Sequence, residues 1–231
     1  MNQRLKSILV VLALAAALGY SIWQNQYDRI AGQSSQSQSA SGNFDFYVLA
    51  LSWSPTFCAE QTSGDDKEQC GTGRPFAFVV HGLWPQNERG FPSDCDSEFG
   101  TRIDRSIADN MLDVMPSRDL VFHEWRKHGT CSGLSPENYF ALARKAKERV
   151  IIPLEYVKLM DYTTVTPAEV EGAFMGANAS LQQNAIAVTC SNRYLKEVRV
   201  CMDKGLTFRP CPEVDAKSCR AAKTVMPPVR G

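Results

Sequence analysis

The chain is poor in histidine, balanced in charge and without an internal repeat. Only three imidazoles occur in 231 residues, His81, His123 and His128, so unperturbed groups that titrate near neutrality are confined to those positions. None of the eight cysteines forms a C-x-x-C pair, which argues against a structural zinc site. Lys plus Arg and Asp plus Glu balance at 25 each. No global positive field therefore gathers a polyanion, and such a substrate would have to be held by a local basic site. The lack of a repeat excludes a solenoid or propeller.

What is present suffices for one sizeable domain: 231 residues, 44% of them hydrophobic. The N-terminus has the form of an export signal. "MNQRLK" is basic, and Ile8 to Leu18 is an unbroken apolar run of 11 residues, inside the usual range for the core of a signal peptide. Ala17-Leu18-Gly19 offers a small-x-small cleavage site. The run can also be extended to Trp23, which approaches a membrane span, so a cleaved signal and an uncleaved anchor both remain open. Gly32 to Gly42, "GQSSQSQSASG", is too polar and too simple to build a core and reads as a flexible linker. Either reading places the rest of the chain outside the cytoplasm. The cysteines, Cys58, Cys70, Cys95, Cys131, Cys190, Cys201, Cys211 and Cys219, are even in number and all follow the linker, as expected of disulfides in an exported protein. Eight cysteines allow 105 pairings, and spacing does not choose among them.

Phe44 to Trp53 and Pro75 to Val80 are apolar, aromatic and β-branched and read as buried strands. Ile103, Ile107 and Met111 recur at helical spacing before Pro116. Ser135-Pro136 opens a helix to about Val150. Thr166 and Glu169 form a capping box around Pro167. Asn184 to Cys190 reads as a strand, and Val198, Val200 and Met202 line one face of another, which turns at Asp203–Gly205 into "LTF" as a hairpin. Helices and antiparallel strands mix without a regular βαβ alternation, so the fold class is α+β.

"HEWRKHGTC", residues 123–131, holds most of the chemistry. On a helix at about 100° per residue, taking His123 as zero, Lys127 falls near 40°, Glu124 near 100° and His128 near 140°. One face can thus carry an ammonium, a carboxylate and two imidazoles, with Trp125 packing behind. Zinc hydrolysis would need H-E-x-x-H, but Lys127 stands where the second ligand should be. An incidental role would require all three histidines to be bystanders. General acid–base cleavage of a phosphodiester fits better. RNA cleavage needs a base for the 2′-hydroxyl, an acid for the departing 5′-oxygen, and donors for the charge that builds on phosphorus.

"HGLWPQ", residues 81–86, together with "HEWRKHGTC", resembles the two catalytic segments of the ribonuclease T2 family. "FDFYVLALSWSPTFC" resembles that family's opening strand and "GLTFRPCP" its terminal hairpin. The resemblance implies a disulfide-braced α+β fold around a central antiparallel sheet. It also implies metal-independent endonucleolytic cleavage of single-stranded RNA with little sequence specificity, through a 2′,3′-cyclic phosphate to 3′-phosphate ends. No cofactor is implied, and a monomer is favoured. Carried onto this sequence, His128 is the general base, His81 the general acid and His123 a phosphate ligand, while Glu124 and Lys127 stabilise the pentacoordinate state and tune their neighbours. Trp84 is either a stacking face for a base or a core residue, and Pro85 fixes a loop. The implied disulfides are Cys95–Cys131, Cys201–Cys211 and Cys190–Cys219, leaving Cys58 with Cys70. The expected organisation is a signal peptide or anchor at 1–23, with a possible membrane tether through residues 7–23. A linker at 24–43, a catalytic domain at 44–220 and a tail at 221–231 follow. The location is then periplasmic or extracellular, or membrane-anchored if the segment is uncleaved. A catalytically silent binding or toxin module of the same fold is the alternative. "RKAKER", Arg144 to Arg149, could steer RNA or be a solvated helix face, and Asn178-Ala179-Ser180 matches a glycosylation sequon.

Overall fold

A computed structural model describes residues 41–61, 67–71 and 73–229. The expected signal or anchor, and all of the linker before Ser41, lie outside the described residues. Among the described residues no helix is long and apolar enough to cross a membrane.

Strand β1 (Phe46–Trp53) runs into helix α1 (Ser54–Glu60), and the short helix α2 (Lys67–Cys70) follows. Strand β2 (Phe78–Gln86) precedes α3 (Arg105–Asp109), α4 (Arg118–Lys127) and α5 (Pro136–Arg149). The chain continues through β3 (Thr163–Val165), α6 (Pro167–Ala177), β4 (Ile186–Ser191), β5 (Tyr194–Met202), α7 (Pro212–Ala216) and β6 (Thr224–Met226). The sheet runs β2-β1-β5-β6-β3 with β4 on β5, and β2, β1, β5 and β4 pair antiparallel.

Alternation along β1 divides the molecule. Tyr47, Leu49, Leu51 and Trp53 enter the main core with Val121 and Trp125 of α4, Tyr139 and Phe140 of α5, and Phe174 of α6. Phe46 and Val48 face the other way, into a small cluster with Ala187, Cys201, Cys211 and Val214. With both faces covered, β1 is buried almost throughout, as its unbroken apolar run requires. Ser135 accepts from the Asn138 N–H at the start of α5, and Thr166 with Glu169 makes a complete capping box on α6.

Several expectations need correction. "HGLWPQ" is the second half of β2 rather than a loop. Pro85 pairs with Tyr47 within that strand; it is tolerated because β2 is at the sheet edge, where a missing N–H costs no ladder bond. The helix expected through Ile103 and Met111 is only the five residues of α3. Among the described residues "LTF" forms no hairpin strand on β5, only a bridge between Met202 and Phe208, and the Asp203 carboxylate accepts from the N–H groups of Gly205 and Thr207 in the turn. Residues 224–226, assigned to a tail, form β6, and the Pro227 carbonyl accepts from Trp53 Nε1. The end of the expected linker is docked: Ser41 donates to the Thr130 carbonyl, and the Gly42 N–H donates to that of Cys131. Arg144 makes a two-pronged ion pair with Asp113, a structural use of the "RKAKER" run. Asn178 is buried, its amide bonded to Phe174 and to both backbone groups of Ile151, so the sequon offers no open acceptor.

The disulfides are Cys58–Cys70, Cys95–Cys131, Cys190–Cys219 and Cys201–Cys211. Cys95–Cys131 ties the loop before α3 to the turn just after α4, and Cys201–Cys211 lies in the small cluster beneath the sheet's other face.

Candidate active site

The site begins with a fault in the strand ladder. Leu51 pairs with Val80 and Ala50 with Gly82, which leaves His81 as an extra residue in a β-bulge. A bulge shifts the side-chain alternation by one. Val80 and Leu83 therefore both enter the main core, while His81 and Trp84, three residues apart, both line the cleft on the other side. A second bulge sits on β5: Thr189 pairs with Glu197 and Cys190 with Leu195, so Lys196 is extra. It lets Leu195 point into the core while Glu197 and Arg199 join the cleft side.

Helix α4 brings the remaining groups. Ser117 caps its start, and Val121 and Trp125 anchor it in the core. The helix ends at Lys127. His128 is its C-cap, with φ −125° and ψ −44°, so the helical projection overruns by one residue. Asp94 holds this end: its N–H donates to the Lys127 carbonyl, and its carboxylate accepts from Lys127 Nζ at 2.5 Å. With Cys95 bonded to Cys131, one short segment pins the helix end both covalently and by charge.

His81, Trp84, His123, Glu124, Lys127 and His128 thus meet around one cleft of about 330 Å³, together with Arg199 and Phe91. His123 is exposed at its rim and Glu124 is almost wholly buried. Trp84 is half-buried. Its indole N–H donates to Glu124 Oε2 at 2.8 Å, and its ring contacts His128 at 5.2 Å, His81 edge-on at 5.3 Å and the Arg199 guanidinium at 5.1 Å. It is a wall of the cleft, already engaged by four neighbours. Gly82 allows this packing, since an added Cβ would overlap both Glu124 Oε2 and Trp84 Nε1.

The two inner imidazoles live in opposite environments. His81 Nδ1 donates to Glu197 Oε1 at 2.5 Å, and its Nε2 lies 3.7 Å from Glu124 Oε1. Burial disfavours the charged ring, but the Glu197 hydrogen bond and the charges of Glu197 and Glu124 outweigh burial and Lys196, and His81 is raised above its ordinary 6.5. Burial would lift Glu197, yet His81 with Arg199 and Lys196 brings it down to about 2. His128 has no such partner. Its Nδ1 is buried without a hydrogen bond among the described residues. Burial first, then the positive charges of His81, Lys127 and His123, lower it to about 3. Glu124 is pushed up to about 7 by burial, against the pull of His81 and Trp84. His123 is lowered by burial and by the charges of Arg126, His81 and Lys127. Helical projection sets Glu124 within about 40° of His128, yet its carboxylate turns to His81 and Trp84.

Among the described residues no cluster of three or more His, Cys, Asp or Glu side chains is placed to hold a metal ion. Sequence reasoning missed Glu197, Arg199, Asp94 and Phe91. A Glu and an Arg at alternate positions within the otherwise apolar "EVRVCM" were the only signal for the first two.

Residues 44–211 match the model of the Ribonuclease T2 family. A ribonuclease of Aeromonas hydrophila is 34% identical over 202 residues, covering 87% of this chain and 86% of that protein. Ribonuclease DdI of Dictyostelium discoideum is 32% identical over 197 residues, covering 77% and 82%. Among solved structures, RNase NT in complex with 5′-AMP superimposes with a TM-score of 0.63 at 25% identity, covering 80% of this chain and 99% of that one. An RNase-related protein from Calystegia sepium gives 0.65 at 24% identity, covering 81% and 98%, and shows the common fold.

Proposed function

The chain belongs to the ribonuclease T2 family and is an endoribonuclease of that type, and we propose that it cuts RNA with His128 as base and His81 as acid. The observation that carries this reading is the opposite surroundings of two imidazoles on one cleft: His128 Nδ1 is buried without a hydrogen bond among the described residues, whereas His81 Nδ1 is bonded to the buried Glu197 carboxylate. His128 takes the proton of the 2′-hydroxyl. The 2′-oxygen attacks phosphorus, and the 5′-oxygen leaves with the proton from His81 Nε2, giving a 2′,3′-cyclic phosphate and a 5′-hydroxyl. Water then attacks the cyclic ester with the roles reversed, leaving a 3′-phosphate. His123 and Lys127 at the rim bind the phosphate. Glu124, pushed up to about 7 by burial, sits beside the acid, its Oε1 3.7 Å from His81 Nε2.

Phe91 is more than half exposed on the cleft and lies 6.5 Å from the His128 ring. It offers the open aromatic surface for the base on the 2′-hydroxyl side, with Trp84 as the wall beneath. A second hollow of about 280 Å³, lined by Ser52, Phe57, Leu120 and Glu197, opens on the other side of His81. It suits the nucleotide that carries the leaving oxygen.

The four disulfides call for an oxidising compartment. We place the catalytic domain there behind the leader at 1–23 and the linker; N-terminal sequencing of protein recovered from cells reads whether the leader is removed. The oxidised domain, incubated with RNA in millimolar EDTA, is expected to yield cyclic-phosphate and then 3′-phosphate ends. One 2′-deoxy nucleotide should block its own linkage and no other. Activity that vanishes in EDTA and returns with a metal, or cutting at the deoxy linkage, would overturn the mechanism. Binding without cleavage would favour a silent module.

A further inference from the structure

Glu197 is a buried carboxylate in the middle of a sheet. It has no solvent exposure, and a charge so placed is costly unless it is fully paired. Its partners account for it. Oε1 accepts from His81 Nδ1 at 2.5 Å, and Oε2 accepts from Arg199 Nε at 3.1 Å and Nη2 at 3.0 Å. The contact crosses a whole strand. β2 and β5 both pair with β1, so their backbones stand about 9–10 Å apart. Two features close that gap. The intervening β1 positions on this face are the small residues Ala50 and Ser52, paired with Arg199 and Glu197 on β5. Each flanking strand also carries a bulge at the contact, at His81 itself on β2 and at Lys196 beside Glu197 on β5. Two independent ladder faults that aim two side chains at each other indicate a built contact.

We propose that Glu197 is the positioning residue of His81: it fixes the ring so that Nε2 alone addresses the leaving oxygen, and holds the ring as an imidazolium ready to donate. Arg199, clamped on the second oxygen, keeps Glu197 an anion and stops its carboxylate from rotating. The logic is that of any carboxylate behind a working imidazole: it selects the tautomer, orients the ring and stabilises its positive charge. The other charged or titratable groups that bear on His81 are Lys196 and Arg199 from β5, Glu124 and His123 from α4, and His128 at its cap. Of these only Glu124 is a second carboxylate, and it stands on the Nε2 side.

The inference rests on His81 acting as general acid, and the test separates the two. Two substrates are compared: a dinucleotide, whose alkoxide leaving group needs a proton, and uridine 3′-(4-nitrophenyl phosphate), whose leaving group does not. On the dinucleotide, Glu197→Gln should lower kcat by about 10- to 100-fold with KM nearly unchanged, and should move the alkaline limb of the pH profile to lower pH. Glu197→Asp should recover part of the loss. On the nitrophenyl ester Glu197→Gln should run close to wild type, and so should His81→Ala, whereas His128→Ala should be impaired on both. If His81→Ala loses activity on the dinucleotide only, while folded Glu197→Gln keeps wild-type kcat and an unmoved limb, the role of Glu197 is refuted and the acid–base reading survives. If His81→Ala is unimpaired on the dinucleotide, the acid–base reading itself falls. Thermal unfolding checks that the variants fold. Should Glu197→Gln not fold, the wild-type protein still decides: a His81 Nδ1 proton far downfield in the proton NMR spectrum supports the contact, and an ordinary imidazole N–H shift refutes it.

Discussion

His81 and His128 are the same side chain on the same cleft, yet the fold treats them as opposites. His81 comes from a strand, at a bulge, and is met on Nδ1 by a buried carboxylate. His128 is the C-cap of a helix, and its Nδ1 is buried without a hydrogen bond among the described residues. An imidazole's charge state is thus set by what the backbone places behind it. A carboxylate behind the ring favours the acid; an unpartnered burial favours the base. Both rings touch Trp84, so the comparison is made across a single indole.

The largest effects should come from removing either ring. His81→Ala and His128→Ala should each lower kcat by about 10²–10⁴, and the double variant by less than the product, because the pair acts as a unit. Steady-state kinetics with a dinucleotide check this, and full multiplicativity would argue for independent roles. Gly82→Ala comes next. The new Cβ overlaps Glu124 and Trp84, which sit between the two rings, so a loss on the order of 10²-fold in kcat is expected, with a stability cost of about 1–3 kcal/mol. Near-wild-type turnover would show that their packing is not needed. Replacing both Cys95 and Cys131 by Ala should cost about 2–5 kcal/mol of stability, read from denaturant unfolding. Turnover should also suffer, since that bridge holds the His128 end of the helix. Asp94→Asn is the mildest. Its ion pair with Lys127 is largely exposed, worth about 0–1 kcal/mol. Because Asp94's charge favours protonation of His128, its loss should move the acid limb of the rate profile slightly to lower pH. A shift upward would contradict the environment assigned to His128.

What the sequence made legible was local. The strand runs of β1 and β4, the caps of α5 and α6, and the clustering of His123, Glu124 and Lys127 all follow from spacing within one element. What it hid depends on partners far away in the chain. His81 and Trp84 cannot share a face of an ideal strand, and only the pairing with β1 reveals the bulge that makes them do so. Glu197 looked like the polar side of an amphipathic strand. It is buried because His81 and Arg199 neutralise it, which no window around residue 197 contains. Helical projection gave His128 a partner in Glu124 and lost it when the helix ended one residue early. Residues 224–226 resembled a tail because a three-residue strand leaves almost no periodicity.

The most direct test of the account is an NMR titration of the three histidines in the oxidised, substrate-free domain, with ring nitrogens labelled. The account predicts that His128 stays neutral down to about pH 3, while His81 remains protonated at pH 6.5 and loses its proton only above it. Between those limits one ring is charged and the other is not, which is the state the proposed acid–base pair requires. A reversed order, with His128 titrating above His81, or both rings neutral at pH 6.5, would contradict it.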